Sequence, residues 1–142
     1  MFRVTADSNI YISAFQFRGT PLRLLTLAAE GKIDLAISDR IVEEVIRTLR
    51  QKFDWPEDRI GQAQRIMGRI ARRVVPSRTL SVIEEDPDDD RILECAAESE
   101  SDYIVSGDKD LHRLGQYGNA RVIKVADMLD VVLGKNWRSR RL

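Results

Sequence analysis

The chain has 142 residues, a length typical of one domain that can bury its own core. Its 23 Lys and Arg residues balance 23 Asp and Glu residues, so a uniformly basic nucleic-acid-binding protein is excluded. A single cysteine, Cys95, excludes an internal disulfide, and a single histidine, His112, excludes a metal site built from several histidines. The ligands of any bound metal must therefore be mainly oxygen atoms, which favours magnesium or manganese.

No stretch of the sequence is long and apolar enough to cross a membrane. The N-terminus shows no charged leader followed by an apolar run, which a secretory signal would require. We therefore expect a cytoplasmic protein without a membrane-spanning segment.

Predicted strands and helices alternate along the chain. In chain order, hydrophobic periodicity and capping residues predict a strand at 2–6, helices at 10–15 and 21–30, a strand at 33–37, helices at 40–52 and 57–73, a strand at 74–75, a helix at 88–99, a strand at 103–105, a helix at 109–114, a strand at 121–125 and a helix at 126–134. This order predicts an α/β fold, a three-layer α/β/α sandwich around a mainly parallel sheet of four to five strands. We expect one domain over residues 1–134 and a basic C-terminal tail over residues 135–142.

Acidic and polar residues follow several of the predicted strands. Asp7 follows the first strand, Ser38 and Asp39 follow the second, and Ser106 and Asp108 follow the strand at 103–105. Because ligands of parallel sheets bind beyond the carboxyl ends of the strands, these residues should converge at one edge. A cluster of carboxylates without His or Cys suits phosphodiester hydrolysis with magnesium or manganese.

The segment from residue 84 to residue 90 is unusually acidic, with six acids in seven residues. A helix N-terminus favours one or two such acids, by roughly 0.3–1 kcal/mol each. A higher density of negative charge repels itself unless a cation relieves it. We therefore predict that this acidic segment contributes to a divalent metal site.

Four acidic motifs in this chain resemble, in order and spacing, those of PIN-domain ribonucleases, in particular the VapC-like toxins of prokaryotic toxin–antitoxin pairs. The motifs are Asp7 in VTADSN, Glu44 in SDRIVEEV, Asp90 in DPDDDRILECA and Asp108 in IVSGDKDL. The resemblance covers about residues 2–133. It implies a PIN-like fold and an endoribonuclease that hydrolyses RNA by metal-activated water, with these four residues as catalytic ligands of one or two Mg²⁺ or Mn²⁺ ions. It also implies a small antitoxin partner and a homodimer.

Residues beside these acids take supporting roles in the resemblance. Ser106 would hydrogen-bond a carboxylate or a water on the metal, and Asp110 would be structural or would support the ligands. For Asn9, helix capping is an equal alternative to orienting Asp7 or the substrate. Periodicity alone does not separate Glu43 from Glu44, and only the resemblance favours Glu44.

The other acids of the 86–90 segment have separate interpretations. Asp86 is predicted to cap a helix that has Pro87 at its first position. All three of these acids, Asp86, Asp88 and Asp89, are close enough in sequence to be confused with Asp90. We interpret Asp89 as an indirect ligand.

The surface that would contact RNA is less defined in the sequence. Phosphates require Lys or Arg around an acidic pocket, and Arg18, in the loop after the first acid, is the best candidate. No aromatic-rich sheet motif indicates recognition of single-stranded RNA by base stacking. Two alternative functions remain, a non-catalytic PIN-type module that binds RNA or protein and another magnesium-dependent phosphohydrolase. The complete set of acids argues against the former, and Asn9, in place of a second aspartate after Asp7, argues against a covalent phosphatase.

Overall fold

A computed structural model describes residues 1–83 and 86–140, and six strands within these ranges form one sheet in the order β3-β2-β1-β4-β6-β5. The strands are β1 Arg3–Ala6, β2 Asp34–Ile37, β3 Ala71–Arg73, β4 Tyr103–Val105, β5 Gln116–Tyr117 and β6 Ala120–Ile123. Every neighbouring pair is parallel except β5 and β6. The expectation of a mainly parallel sheet is therefore confirmed, although the sheet has six strands rather than four or five.

Seven α-helices connect and cover these strands. They are α1 Ser8–Phe17, α2 Gly19–Ala29, α3 Asp39–Phe53, α4 Glu57–Ile70, α5 Pro87–Glu98, α6 Lys109–Leu114 and α7 Val125–Leu133. Helices α1 to α4 pack against one another, whereas α5 contacts β1, β2 and β4. From β1 to β3 the chain adds strands on one side of β1, and with β4 it begins to add them on the other side. Because such connections are right-handed, this change puts α5 on the opposite face of the sheet from α1 to α4. The three-layer α/β/α arrangement is thereby confirmed.

Strand β3 lies three residues earlier than the strand predicted at 74–75. Helix α4 ends at Ile70, and Ala71 pairs with Leu35 of β2. The helical spacing of apolar residues continues past Ile70, and no glycine or proline marks the end of the helix there. The sequence therefore predicted a helix that extends to residue 73, three residues too far. The strand lies at the sheet edge and exposes Arg72 and Arg73, charged side chains that discourage further strand pairing.

Strand β5 had no counterpart among the predicted elements. Its two residues, Gln116 and Tyr117, form a hairpin with β6 across Gly118, whose φ is +59°. Two residues are too few to show the alternation that predicts a strand. The hairpin widens the sheet beyond the residues that carry the acidic motifs.

The segment expected as a basic tail begins with a 3-10 helix, Lys135–Arg140. Trp137 is buried, and its ring N–H donates to Asp130 of α7 at 2.8 Å. Arg138 also pairs with Asp130, at 2.9 Å. Residues 135–140 therefore pack onto the domain, while residues 141–142 lie outside the described ranges. Within those ranges, no helix has both the length and the apolar character to span a membrane.

Candidate active site

The central strands bring acidic residues to one edge of the sheet. Strand β1 has β2 on one side and β4 on the other, and all three are parallel. Their carboxyl ends therefore deliver the residues that follow them to a common edge. The acidic pocket at this edge is lined by Asp7, Ser8, Asn9, Glu44, Asp86, Asp88, Asp89, Ile92 and Asp108.

Asp7 is buried and also caps helix α1. Its Oδ1 accepts the backbone N–H groups of Asn9 at 2.7 Å and Ile10 at 3.3 Å. Its Oδ2 accepts the hydroxyl of Ser106. Burial raises the pKa of the Asp7 carboxyl, although these three hydrogen bonds act in the opposite direction. Capping and a place in the pocket are thus compatible for this residue.

Ser106 links two of the pocket acids. Its hydroxyl donates to Asp7 and accepts the backbone N–H of Asp108 at 2.9 Å. Asp108 caps helix α6, since its Oδ1 accepts the N–H groups of Asp110 at 2.8 Å and Leu111 at 3.2 Å. The fully buried Ser106 therefore holds the turns after β1 and β4 in a fixed relation.

Asn9 and Asp110 support the site mainly through the backbone. The backbone N–H of Asn9 donates to Asp7, and Asn9 itself is exposed and lines the pocket. The Asp110 N–H contacts Asp108, but its carboxylate pairs with Arg113 at 3.2 Å and does not line the pocket. His112 is turned to the backbone, with Nε2 2.6 Å from the carbonyl oxygen of Ser106.

Helix α3 presents Glu44 and not Glu43 to the pocket. Oε2 of Glu44 accepts the Ser8 hydroxyl at 2.7 Å, so helices α1 and α3 are joined at the pocket. Burial raises the pKa of Glu44, and the bond from Ser8 partly offsets this rise. Glu43 is exposed and lies outside the residues that line the pocket.

Asp90, which was expected among the metal ligands, does not line the acidic pocket. Oδ1 of Asp90 accepts the backbone N–H groups of Val82 and Ile83, each at 2.9 Å. Successive residues of a helix point about 100° apart, so Asp89 and Asp90 cannot face the same side of α5. Asp89 lines the pocket, one turn before Ile92, and Asp90 does not.

Asp90 belongs to an acidic stripe along α5, formed by Asp90, Glu94 and Glu98 at four-residue spacing. These carboxylates accept backbone N–H groups of the segment that follows β3, because Glu94 binds the N–H of Leu80 at 2.7 Å and Glu98 that of Ser77 at 2.8 Å. The four-residue spacing was visible in the sequence. The sequence does not show, however, that residues 77–83 lie against this face of α5 and bind the three acids.

Asp86, Asp89 and Asp108 form the tightest group of acids in the described part of the chain. One carboxylate oxygen from each lies within 4.8 Å of the other two. Asp86 also caps α5 as predicted, since its Oδ1 accepts the Asp88 N–H at 3.1 Å. Burial, and then the negative charges of Asp108 and Asp86, raise the pKa of Asp89 to about 8.

A divalent cation fits this donor set. Oδ2 of Asp89 is buried and has no hydrogen-bond partner among the described residues. An unpaired buried carboxylate oxygen is costly, and the neighbouring carboxylates offer it no donor while they are ionised. Oxygen donors alone suit Mg²⁺ or Mn²⁺, and the two further acids Asp7 and Glu44 line the same pocket.

Comparison with known proteins identifies the family of the chain. Residues 3–110 match the sequence model of the PIN domain, and they include all the acids that line the pocket. The chain belongs to the PIN-domain family. The resemblance seen in the four acidic motifs is therefore confirmed at the level of the family.

The PIN domain also has a solved structural relative. A chain in the crystal structure of VapBC2 from Rickettsia felis bound to a DNA fragment from their promoter superposes with a TM-score of 0.63. The two chains are 14% identical, and the match covers 86% of this chain and 98% of that chain. At this identity the likeness concerns the fold. No curated protein sequence matches the chain significantly.

Arg18 lies outside the acidic pocket of this PIN domain. It follows the last residue of α1, is exposed, and has a φ of +68°. Arg18 lies eleven residues after Asp7, a separation of about 16 Å along α1, because a helix rises about 1.5 Å per residue. Arg18 therefore cannot contact the group that Asp7 contacts, although it can contact a chain that extends from the pocket.

Two acids of this PIN domain, Asp86 and Asp89, lie closer to Asp108 than their predicted roles require. The sequence favours a cap for Asp86 and an indirect ligand for Asp89, although both could be confused with Asp90, and in the structure both face Asp108. Apolar spacing could not separate Asp89 from Asp90, because each lies three residues before a buried apolar residue, Ile92 or Leu93. The first two acids of the segment, residues 84 and 85, lie outside the described residues.

Proposed function

We propose that this PIN domain is a metal-dependent endoribonuclease that hydrolyses RNA phosphodiester bonds, and that it is the toxin of a toxin–antitoxin pair. The observation that carries the proposal is the unpaired, buried Oδ2 of Asp89 beside Asp86 and Asp108. A non-catalytic module would gain nothing from such repulsion, whereas a cation-binding site requires it.

Asp86, Asp89 and Asp108 would hold the first cation, with Asp7 and Glu44 available for it or for a second one. We propose Mg²⁺ or Mn²⁺, one or two ions, because all five donors are carboxylates. Such an ion supplies Lewis acidity toward a phosphoryl oxygen and lowers the pKa of water. In this assignment Asp89 takes the role that the sequence motif suggested for Asp90.

The residues around these carboxylates orient them before substrate arrives. Ser106 restrains Asp7 and the turn of Asp108, and Ser8 restrains Glu44. Asp7, Asp86 and Asp108 are further restrained because each caps a helix. Preorganised carboxylates require little rearrangement when cation and phosphate bind, which favours catalysis over simple binding.

We further propose a small antitoxin partner, a homodimer and a cytoplasmic location. The fold likeness to a chain of the VapBC2 crystal structure supports the antitoxin. A cationic side chain of such a partner would neutralise the acidic pocket and exclude RNA from it. Copurification of the protein with the product of a neighbouring reading frame tests this part of the proposal.

The decisive experiment is cleavage of an end-labelled single-stranded RNA with Mn²⁺, with Mg²⁺ and with EDTA. We expect the wild-type protein to cleave the RNA only when a metal is present. The cleavage rate should fall by about 100-fold or more, the usual effect of removing one electrostatic contact at an active site, in each of four variants: Asp7→Asn, Glu44→Gln, Asp89→Asn and Asp108→Asn. Glu43→Gln is the matched control for Glu44→Gln and should retain activity, because Glu43 is exposed. Cleavage that survives all four substitutions would sink the assignment, and release of phosphate from small phosphomonoesters would favour a phosphatase.

A further inference from the structure

Helices α1 and α3 lie side by side, and one seam between them runs from the acidic pocket to a pair of phenylalanines. At the pocket, Ser8 of α1 bonds to Glu44 of α3. Nine residues further along each helix, Phe17 contacts Phe53, with ring centroids 5.9 Å apart and planes at 86°. The equal spacing shows that the two helices run in the same direction and in step. At about 1.5 Å per residue, the aromatic pair lies about 14 Å from the pocket.

The aromatic pair presents an apolar surface to solvent. Phe17 is 69% exposed, the largest exposed fraction of any aromatic side chain among the described residues. Phe53 is half-buried beneath it. A large exposed aromatic ring on a folded surface is commonly a binding feature, because burying it against a partner is favourable.

The ends of both helices are held in place under the pair. The ring N–H of Trp55 donates to the side-chain oxygen of Gln16 at 2.7 Å. Trp55 is buried and also contacts Phe15 edge to face, at 6.3 Å between ring centroids. Gln16, next to Phe17, is therefore bonded to Trp55, two residues beyond Phe53, and these contacts restrain the ends of α1 and α3.

Three cations surround the seam: Arg18, Arg47 and Lys52. All three are exposed, and none forms a salt bridge with another described residue. Arg47 is one turn after Glu44 and so lies between the pocket and the aromatic pair, and Lys52 has its Nζ 5.6 Å from the Phe53 ring centre. Arg50, by contrast, is paired with Glu57 at 2.8 Å.

We propose that Phe17 and Phe53 form a stacking site for an unpaired base of single-stranded RNA, with Arg18, Arg47 and Lys52 contacting its phosphates. The inference rests on the proposed function, because it takes RNA to be the substrate. An apolar ring bordered by unpaired cations matches the two chemical parts of a nucleotide, a flat base and an anionic phosphate. The seam leads such a strand to the carboxylates at its other end.

The geometry favours RNA over a protein partner for this surface. Among the described residues of α1 and α3, Phe17 is the one large apolar side chain that is exposed, and its ring is small beside the roughly 800 Å² that each partner buries in a stable protein interface. Stacking needs only a ring of this size, and every base offers a flat face to it. The phosphodiester backbone offers these three cations the salt-bridge partners that they do not have among the described residues.

Binding is best measured in Asp7→Asn protein with Mg²⁺, so that cleavage does not interfere. The probe is a fluorescein-labelled dodecamer of uridine, followed by fluorescence anisotropy. We expect Phe17→Ala and Phe53→Ala to weaken binding about tenfold or more, the range found for stacked bases. Arg47→Ala should reduce the slope of log Kd against log salt by about 0.7, as expected for one lost phosphate contact on a single strand.

Phe2→Ala is the matched control. Phe2 also forms an edge-to-face pair, with Tyr103 at 5.5 Å, and is 41% exposed. It precedes β1 and so lies at the opposite edge of the sheet from the pocket. The Phe2→Ala variant should bind the probe with the same affinity as the protein that retains Phe2. Phe17→Leu separates stacking from general apolarity, since leucine has no flat face and should bind as weakly as alanine.

Unchanged binding in Phe17→Ala and Phe53→Ala would overturn the inference. Recovery of binding by Phe17→Leu would also overturn it, because the site would then recognise apolar surface. A change in oligomeric state without a change in RNA affinity would assign the surface to a second copy of the chain instead. Loss of binding in both alanine variants, without cleavage by the unmodified protein, would support the stacking site and contradict the proposed catalytic function.

Discussion

Asp89 and Asp90 are adjacent in sequence, yet their carboxylates face different parts of the molecule. Asp89 meets Asp86 and Asp108 in the acidic pocket, where its Oδ2 lacks a partner among the described residues. Asp90 accepts two backbone N–H groups from Val82 and Ile83. Asp89 therefore has a buried oxygen without a partner among the described residues, whereas the carboxylate of Asp90 is satisfied by structural contacts. This difference supports a functional role for Asp89 and a structural role for Asp90.

Alanine substitutions at these two positions should have opposite effects. Asp89→Ala should abolish Mn²⁺ binding while leaving the metal-free protein as stable as before or more stable, because it removes repulsion from Asp86 and Asp108. Asp90→Ala should lower the free energy of unfolding by about 2 kcal/mol, since it leaves backbone donors without their acceptor, but should keep Mn²⁺ binding. Urea denaturation and calorimetry test both. Loss of Mn²⁺ binding in folded Asp90→Ala, with retention in Asp89→Ala, would restore Asp90 as the ligand.

Ser106→Ala should weaken Mn²⁺ binding about tenfold, because the hydroxyl orients Asp7 and the turn of Asp108. The matched control is Ser101→Ala. Ser101 is also buried but bonds to Thr5 at 2.8 Å and Ser99 at 2.7 Å, away from the pocket. That control should lose stability without losing Mn²⁺ affinity. Equal Mn²⁺ affinities in the two variants, measured by calorimetry, would show that Ser106 does not position the ligands.

The stability of the metal-free protein should fall as pH rises from about 4 to about 8. The pKa of Asp89 is raised to about 8 in the folded protein, from an ordinary value of 3.8. Between these values the folded state holds a proton that the unfolded state has lost, so raising the pH favours unfolding. Burial raises the pKa values of Asp7 and Glu44 as well, and these groups act in the same direction.

Urea denaturation in EDTA across this pH range measures the effect, and Asp89→Asn should flatten the dependence. Addition of Mn²⁺ at pH 8 should restore stability, because the cation takes the place of the proton and binds the folded state alone. A stability that rises steadily with pH in EDTA would contradict the repulsion that we assign to the pocket.

Trp137→Ala should lower the free energy of unfolding by about 3 kcal/mol. The ring is buried against the domain and donates to Asp130, so its removal leaves a cavity and removes one hydrogen bond, while Asp130 keeps its pairing with Arg138. Ser139→Ala, in the same 3-10 helix but exposed, should change stability by no more than about 0.5 kcal/mol. Thermal or urea unfolding distinguishes the two. A Trp137→Ala protein as stable as the wild type would return residues 135–140 to the status of a detached tail.

Much of the fold was predictable because it depends on local signals. Capping residues such as Asp7, Ser38 and Asp86 begin helices through bonds to N–H groups two or three residues away. The alternation of strands and helices then predicts a parallel sheet. Strand β3 and the hairpin strand β5 escaped prediction because each is stabilised mainly by pairing with a neighbouring strand.

The sequence by itself determined the order of elements and the edge at which its acids collect, because strand ends and helix caps are encoded within a few residues. The motif positions Asp7, Glu44 and Asp108 all line the pocket for that reason. Only the tertiary structure decided between Asp89 and Asp90, because the rotation of α5 depends on its packing against β1, β2 and β4. It also brought Phe17 to Phe53, 36 residues apart in sequence, because α1 and α3 run in step.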